Sequence, residues 1–120
     1  MVQGFWSNST WGFPKGKINA EEDPIVCACR EVREEIGFDC TSMIEEKEFI
    51  EMHIRETYIR LYIVAGVRKT EKFQPLTRNE IRKIQWFPIK DLPTSKQEKE
   101  LNPNAFFMVM PIIKYAGRKV

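Results

Sequence analysis

The 120-residue chain lacks any apolar run approaching the roughly 18–20 residues of a membrane-spanning helix, so no membrane association is expected. Residues 1–10 lack the basic start and apolar stretch of a signal peptide. Histidine is nearly absent. His53 stands alone, which excludes a paired-histidine zinc site and leaves no Ser–His–Asp arrangement to argue. Cysteine is scarce and odd in number, as Cys27, Cys29 and Cys40. Cys27 and Cys29 lie two apart within a predicted helix, so a disulfide framework is not expected and a reducing compartment is. These thiols read as small hydrophobes rather than nucleophiles. Repeats and low-complexity tracts are missing too. What remains is a 14.2 kDa chain, the size of one small domain, 42% hydrophobic and 30% charged. That balance suits a soluble globular fold and argues against a wholly disordered one.

Net charge is only +2, yet it is unevenly placed. Residues 1–57 carry 6 basic and 12 acidic side chains, net −6, and residues 58–120 carry 13 and 5, net +8. An acidic half suits cations and a basic half suits a polyanion; solvated surface charge clustered by chance would give the same asymmetry.

Residues 7–24, rich in Gly, Pro, Asn and Ser, read as a long loop. A helix over 24–36 is then strongly signalled. Asp23 suits the N-cap, Pro24 the first helical position and Gly37 the stop, while Ile25, Ala28, Cys29, Val32 and Ile36 share one face. Residues 48–54 alternate and predict a strand, Arg55-Glu56-Thr57 a turn, and Tyr58 to Val67 its partner strand. Residues 70–82 read as a polar loop, 83–87 as a short strand, and 93–104 as a surface loop. Residues 104–117 look helical, with Pro111 forcing a kink or a second start. The order predicts an α+β fold.

On the predicted helix, Glu31, Glu34 and Glu35 stand at i, i+3 and i+4, with Cβ atoms about 5–6 Å apart. Three carboxylates so crowded repel one another and need compensation. Arg30 can supply it by reaching Glu34 at i+4 on a solvated face. A hard cation can supply it instead, since Mg²⁺ and Mn²⁺ take oxygen ligands and join carboxylates to substrate phosphates. Lys15-Gly16-Lys17, just upstream, places two cations around a glycine that lets backbone approach a ligand closely.

The string Gly16-x5-Glu22-x7-Arg30-Glu31-Val32-x-Glu34-Glu35-x-Gly37-Phe38 resembles the full Nudix box. Its seven fixed positions would coincide by chance on the order of 10⁻⁸. The resemblance implies an αβα sandwich with a mixed β-sheet, and a hydrolase acting on phosphoric anhydride bonds. It implies that Glu31, Glu34 and Glu35 bind Mg²⁺ or Mn²⁺ together with Gly16, that Arg30 orients the carboxylates, and that Glu22 braces the loop.

Further segments resemble the mRNA-decapping members of that family. They are Trp11-Gly12-Phe13-Pro14-Lys15-Gly16-Lys17, Ile59-Arg60-Leu61-Tyr62-Ile63, Thr77-Arg78-Asn79-Glu80-Ile81 with Ile84-Gln85-Trp86-Phe87, and Asn104-Ala105-Phe106-Phe107-Met108-Val109-Met110-Pro111. These matches imply cleavage of the 7-methylguanosine cap of mRNA, giving 7-methyl-GDP and 5′-monophosphate RNA. They imply a cytoplasmic place, including mRNA-decay granules, with decapping activator proteins as partners. Glu35 or Glu80 would act as general base, Glu80 otherwise as an extra metal ligand. Lys15, Lys17, Arg60, Phe107 and Lys114 would bind substrate, with Arg118 and Lys119 near the RNA path. Phe107 would do so by stacking, which needs no hydroxyl.

The whole of residues 1–120 is expected to be one Nudix domain, with 104–120 beginning a basic RNA-binding helix. Because Gly16 comes so soon, the first strand or strands are expected to be missing, and with them the helical regulatory domain that meets the activators. Such a chain would have an unpaired sheet edge and associate readily. Two other readings remain: a pyrophosphatase of small nucleotides such as ADP-ribose or dinucleoside polyphosphates, and a catalytically weak or inactive form that binds RNA or a partner.

Overall fold

The computed structural model describes residues 1–4, 10–77, 80–93, 103–106 and 109–119, of which 103, 104 and 115–119 are described as backbone only. It divides into two units: Pro14–Arg78, and Met1–Phe13 with Asn79–Val120. Each is described by itself.

The first unit holds the helix α1 (Pro24–Ile36), at the expected bounds. Pro24 opens it, where a missing N–H costs nothing. Asp23 occupies the N-cap with extended backbone (φ −69°, ψ 145°), but its side chain caps no amide; its carbonyl receives the Cys27 amide at 3.0 Å. Gly37 closes the helix in the left-handed conformation (φ 70°, ψ 21°), donating its amide to the Arg33 carbonyl. The predicted loop at 70–82 has a specific task here. The amides of Gln74 and Leu76 donate to the carbonyls of Ile36 and Glu34, each at 2.9 Å, satisfying the exposed end of α1. The approach is so close that a Cβ on Gly37 would lie 2.3 Å from the Gln74 carbonyl oxygen.

The expected apolar face of α1 is half-buried, and its fully buried side chains are Cys27 and Glu35. The hairpin that follows pairs β3 (Phe49–Ile54) with β4 (Thr57–Tyr62), antiparallel, with Glu51 opposite Arg60 and His53 opposite Tyr58. Arg55 turns the chain at φ 58°. Ile50, Met52 and Ile54 are half-buried while Glu51 and His53 are exposed, so the alternation read from sequence sets the two faces. The second strand stops at Tyr62, five residues before the predicted end at Val67.

In the other unit, β1 (Val2–Gly4) pairs on both sides: with β2 (Trp11–Gly12) and with β5 (Ile81–Ile84). β2 falls within the stretch predicted as loop, and β5 lies two to three residues earlier than expected. Every ladder among the described residues is antiparallel, so the mixed sheet implied by the resemblance is not seen among them; the α+β content is as expected. Two 3₁₀ turns, Ile89–Asp91 and Pro103–Phe106, precede α2 (Met110–Lys119). Pro111 therefore stands in the first turn of a new helix, where its ring is tolerated, rather than kinking a continuous one. Trp11, Leu92, Phe106, Val109, Met110 and Ile113 form the core of this unit. Phe87 ties it together, meeting Trp11 edge-on at 4.9 Å between centroids and Phe106 at 5.3 Å. No helix among the described residues is long and apolar enough to cross a membrane.

Candidate active site

The first unit assembles its polar cluster around Arg30. Its guanidinium forks onto Glu22, with Nε donating to Oε2 at 2.9 Å and Nη2 to Oε1 at 3.1 Å. Nη1 donates to Glu31 at 2.9 Å and, more weakly, to Glu34 at 3.4 Å. Nη2 also donates to the Lys17 carbonyl at 3.3 Å. One cation on α1 thus binds two carboxylates of its own helix and both a carboxylate and a backbone oxygen of the preceding loop. A planar five-donor fork does this; an ammonium cannot.

Glu22 is fixed a second way. It accepts the Asn19 amide at 3.0 Å, while its own amide donates to the Asn19 carbonyl at the same distance. Hydrogen bonding to Arg30, then to the Asn19 amide, holds the Glu22 carboxyl well below the usual range, at about 2. The same bonds hold the Arg30 guanidinium above its ordinary value.

Gly16 and Lys15 are met by Glu31 and Glu35. The Glu31 carboxylate fills the space where a side chain on Gly16 would be: a Cβ there would lie 2.0 Å from Oε1. Glu35, 8% exposed, accepts the Lys15 backbone amide at 2.8 Å. The side chains of Lys15 and Lys17 are exposed, so the contacts these residues make within the protein run through their backbone.

The predicted site residues are therefore partly brought together. Gly16, Arg30, Glu31, Glu34 and Glu35 form one cluster with the backbone of Lys15 and Lys17. Among the described residues no three His, Cys, Asp or Glu side chains converge as a ready cation cage. The donor chemistry nonetheless fits a hard divalent cation: carboxylate oxygens one helical turn apart, beside a glycine that exposes backbone. In the present rotamers Glu31 and Glu34 face Arg30, and Glu35 faces the Lys15 amide. Ion binding must draw carboxylate oxygen from these contacts.

The other predicted residues lie in other segments of the chain. Glu80 is exposed in the turn before β5, in the other unit. Lys114 is exposed on α2. Arg118 and Lys119 lie in the last turn of α2, described as backbone, and Phe107 lies outside the described residues. Arg60 is on the exposed face of the hairpin. Its guanidinium lies 4.3 Å from the Phe49 ring centroid, and it donates to the hydroxyls of Tyr58 at 3.1 Å and Tyr62 at 3.4 Å. Glu51 accepts a hydrogen bond from Tyr58 and lies 3.9 Å from Arg60. Sequence reading missed this aromatic setting, although the alternation of β3 and β4 contains it.

Comparison with known proteins agrees with this box. The NUDIX domain matches residues 1–107. The chain is 48% identical over 114 residues to an mRNA decapping complex subunit 2 of Schizosaccharomyces pombe, covering 94% of this chain and 15% of that protein. It is 47% identical over 118 residues to an m7GpppN-mRNA hydrolase of Caenorhabditis elegans, covering 95% and 15%. It is 43% identical over 98 residues to an mRNA-decapping enzyme subunit 2 of Arabidopsis thaliana, covering 82% and 26%. The chain thus spans about a quarter or less of the length of these relatives. With the box in place around Arg30 and the match extending through residue 107, the chain belongs to the Nudix family.

Proposed function

We propose that this chain carries the catalytic centre of an mRNA-decapping hydrolase, cleaving the 7-methylguanosine cap to give 7-methyl-GDP and 5′-monophosphate RNA. The observation that carries the reading is the box cluster, in which Arg30 holds Glu31 and Glu34 of α1 and the Lys15 amide holds Glu35, beside the Gly16 loop. The names of the relatives point it to the cap rather than to a small nucleotide.

Mg²⁺ or Mn²⁺, held by Glu31, Glu34 and Glu35 with the Gly16 carbonyl, would neutralise the phosphate chain and polarise the phosphorus. Arg30 keeps Glu31 and Glu34 aligned and anchors the loop through Glu22 and Lys17. The Lys15 and Lys17 side chains, free of protein contacts in the cluster, point the loop's positive charge at phosphate oxygens. Glu35 or Glu80 takes the proton of the attacking water. As the decapping resemblance implies, Lys114, Phe107, Arg118, Lys119 and Arg60 would add contacts to the substrate. The natural partners are capped mRNA and decapping activator proteins, and the setting is cytoplasmic mRNA decay, including its granules.

The test is release of 7-methyl-GDP from capped RNA with Mg²⁺ or Mn²⁺ present, with ADP-ribose and a dinucleoside polyphosphate in parallel. Glu34→Gln and Glu35→Gln should each lower turnover by about 10²-fold or more, the scale of losing an essential acid–base or electrostatic group. Near-parental rates in both would remove the assignment. Preference for the free nucleotides would replace the cap with a small-nucleotide substrate. Capped-RNA binding without turnover would leave a binding module.

A further inference from the structure

Two of the three cysteines meet. Cys29 lies in the middle of α1, and Cys40 in the segment after Gly37, where its carbonyl accepts the amides of Met43 and Ile44 at 2.9 Å each. Their sulfurs are 3.8 Å apart, with the Cys40 thiol donating to Cys29. Both are free thiols. Cys40 is 2% exposed. Cys29 is half-buried and lines a groove of about 390 Å³ with Val26, Arg33, Asp39 and Ile44. One thiol is thus open to a small polar solute, and the second is packed directly behind it.

A disulfide needs a sulfur–sulfur distance of about 2.05 Å, so the pair must close by roughly 1.8 Å. Rotation about the two Cα–Cβ bonds moves the sulfurs toward each other without requiring α1 to unwind. The sequence hides this pairing because the residues are eleven positions apart and the close neighbour, Cys27, faces elsewhere. The Cys27 sulfur lies 3.9 Å from the Gly16 carbonyl and 3.8 Å from Arg30 Nη2.

We propose that Cys29 and Cys40 are a hydroperoxide-responsive modification site, closing to an intramolecular disulfide beside the Arg30 cluster. The Cys29 sulfur attacks one peroxide oxygen; the O–O bond breaks, leaving Cys29 sulfenic acid and one water. The Cys40 sulfur then attacks the Cys29 sulfur; the S–O bond breaks, and hydroxide departs with the Cys40 proton as a second water. Two thiols and one hydrogen peroxide become one disulfide and two waters, two electrons passing from sulfur to oxygen. Burial pushes the Cys40 thiol up to about 11, so Cys40 keeps its proton and Cys29, which lines the groove, is the sulfur that meets peroxide first. The bond would bind the middle of α1, one residue before Arg30, to the segment that follows the helix.

The experiment is peroxide treatment of the purified protein, followed by thiol titration and peptide mapping without reductant. Accessible thiols after denaturation should fall from three to one per chain, with no disulfide between chains, and return to three on reduction. Cys27 and Cys29 share the tryptic peptide 18–30, so mapping is repeated on Cys27→Ser, where the link from peptide 18–30 to peptide 34–47 must persist. Cys29→Ala must abolish the link, and Cys40→Ala must send Cys29 on to sulfinic acid instead. Fragmentation of the cross-linked parental peptide assigns the bond even where a variant folds poorly. A bond assigned to Cys27, a link between chains, or oxidation of Cys29 without any link would each overturn the proposal.

Discussion

Gly16→Ala separates what the Gly16 loop does for catalysis from what it does for stability. A Cβ at this position would meet Glu31 Oε1 at 2.0 Å, Cδ at 2.1 Å and Oε2 at 2.6 Å, all atoms at the end of a flexible side chain. Ordinary contact begins near 3.4 Å, so the Glu31 carboxylate must retreat by about 1.4 Å. Retreat costs a rotamer adjustment of about 1 kcal/mol, which lowers Tm by only a few degrees in a domain of this size. The same movement takes a box carboxylate out of place, and a misplacement of about 1 Å in a catalytic centre can cost 10²-fold in rate. Gly37→Ala makes the contrast. There the new Cβ meets the Gln74 carbonyl oxygen, a backbone atom, at 2.3 Å, and the residue sits at φ +70°. That variant should lose several times more stability, through strain and through loss of the clamp on the end of α1. The assay is thermal unfolding, Mn²⁺ binding and capped-RNA turnover on both variants. Gly16→Ala should unfold close to the parent while Mn²⁺ binding and turnover fall together. A Gly16→Ala protein that keeps turnover within twofold, or that unfolds as early as Gly37→Ala, would refute the assignment of Gly16 as the cradle of Glu31.

Carboxyl-resolved NMR should place the Glu22 titration at about 2, and Arg30→Gln should return it toward the ordinary glutamate value. Because the folded value is the lower one, the Glu22 contribution to stability is fully present above the unfolded value and is lost as pH falls toward about 2. An unshifted Glu22 in the parent would remove the Arg30 fork. Phe106→Ala should cost about 3–5 kcal/mol by denaturant unfolding, because the ring is 3% exposed and packs on Phe87 within the core of its unit; a loss under 1 kcal/mol would contradict that core. Under the proposed function, binding of capped RNA should weaken by about 0.7 log units per tenfold rise in salt for each phosphate contact that the +8 charge of residues 58–120 supplies. A flat salt dependence, or equal affinity for an isolated cap dinucleotide, would point away from an RNA-body path.

Features set by neighbours in the chain were legible in the sequence. Asp23, Pro24 and Gly37 mark a helix by backbone preferences that act within a few residues, and α1 has those bounds. Alternation along 48–54 depends only on the period of an extended chain, so the two faces of β3 follow from it. The spacing of Glu31, Glu34 and Glu35 places them on neighbouring turns wherever the helix lies. Features set by distant partners were not legible. Trp11–Gly12 is a strand only because β1 offers it a ladder, and β5 begins at Ile81 rather than Lys83 because pairing with Val2–Gly4 selects the register. Sequence spacing offered Arg30 only Glu34. The folded loop added Glu22 and the Lys17 carbonyl, turning a helix-surface ion pair into the centre of the cluster. Burial of Glu35 against the Lys15 amide, the Gln74–Leu76 clamp and the meeting of Cys29 with Cys40 have the same origin. Each joins groups 11 to 42 positions apart in the chain, and no local preference of either partner encodes the distance between them.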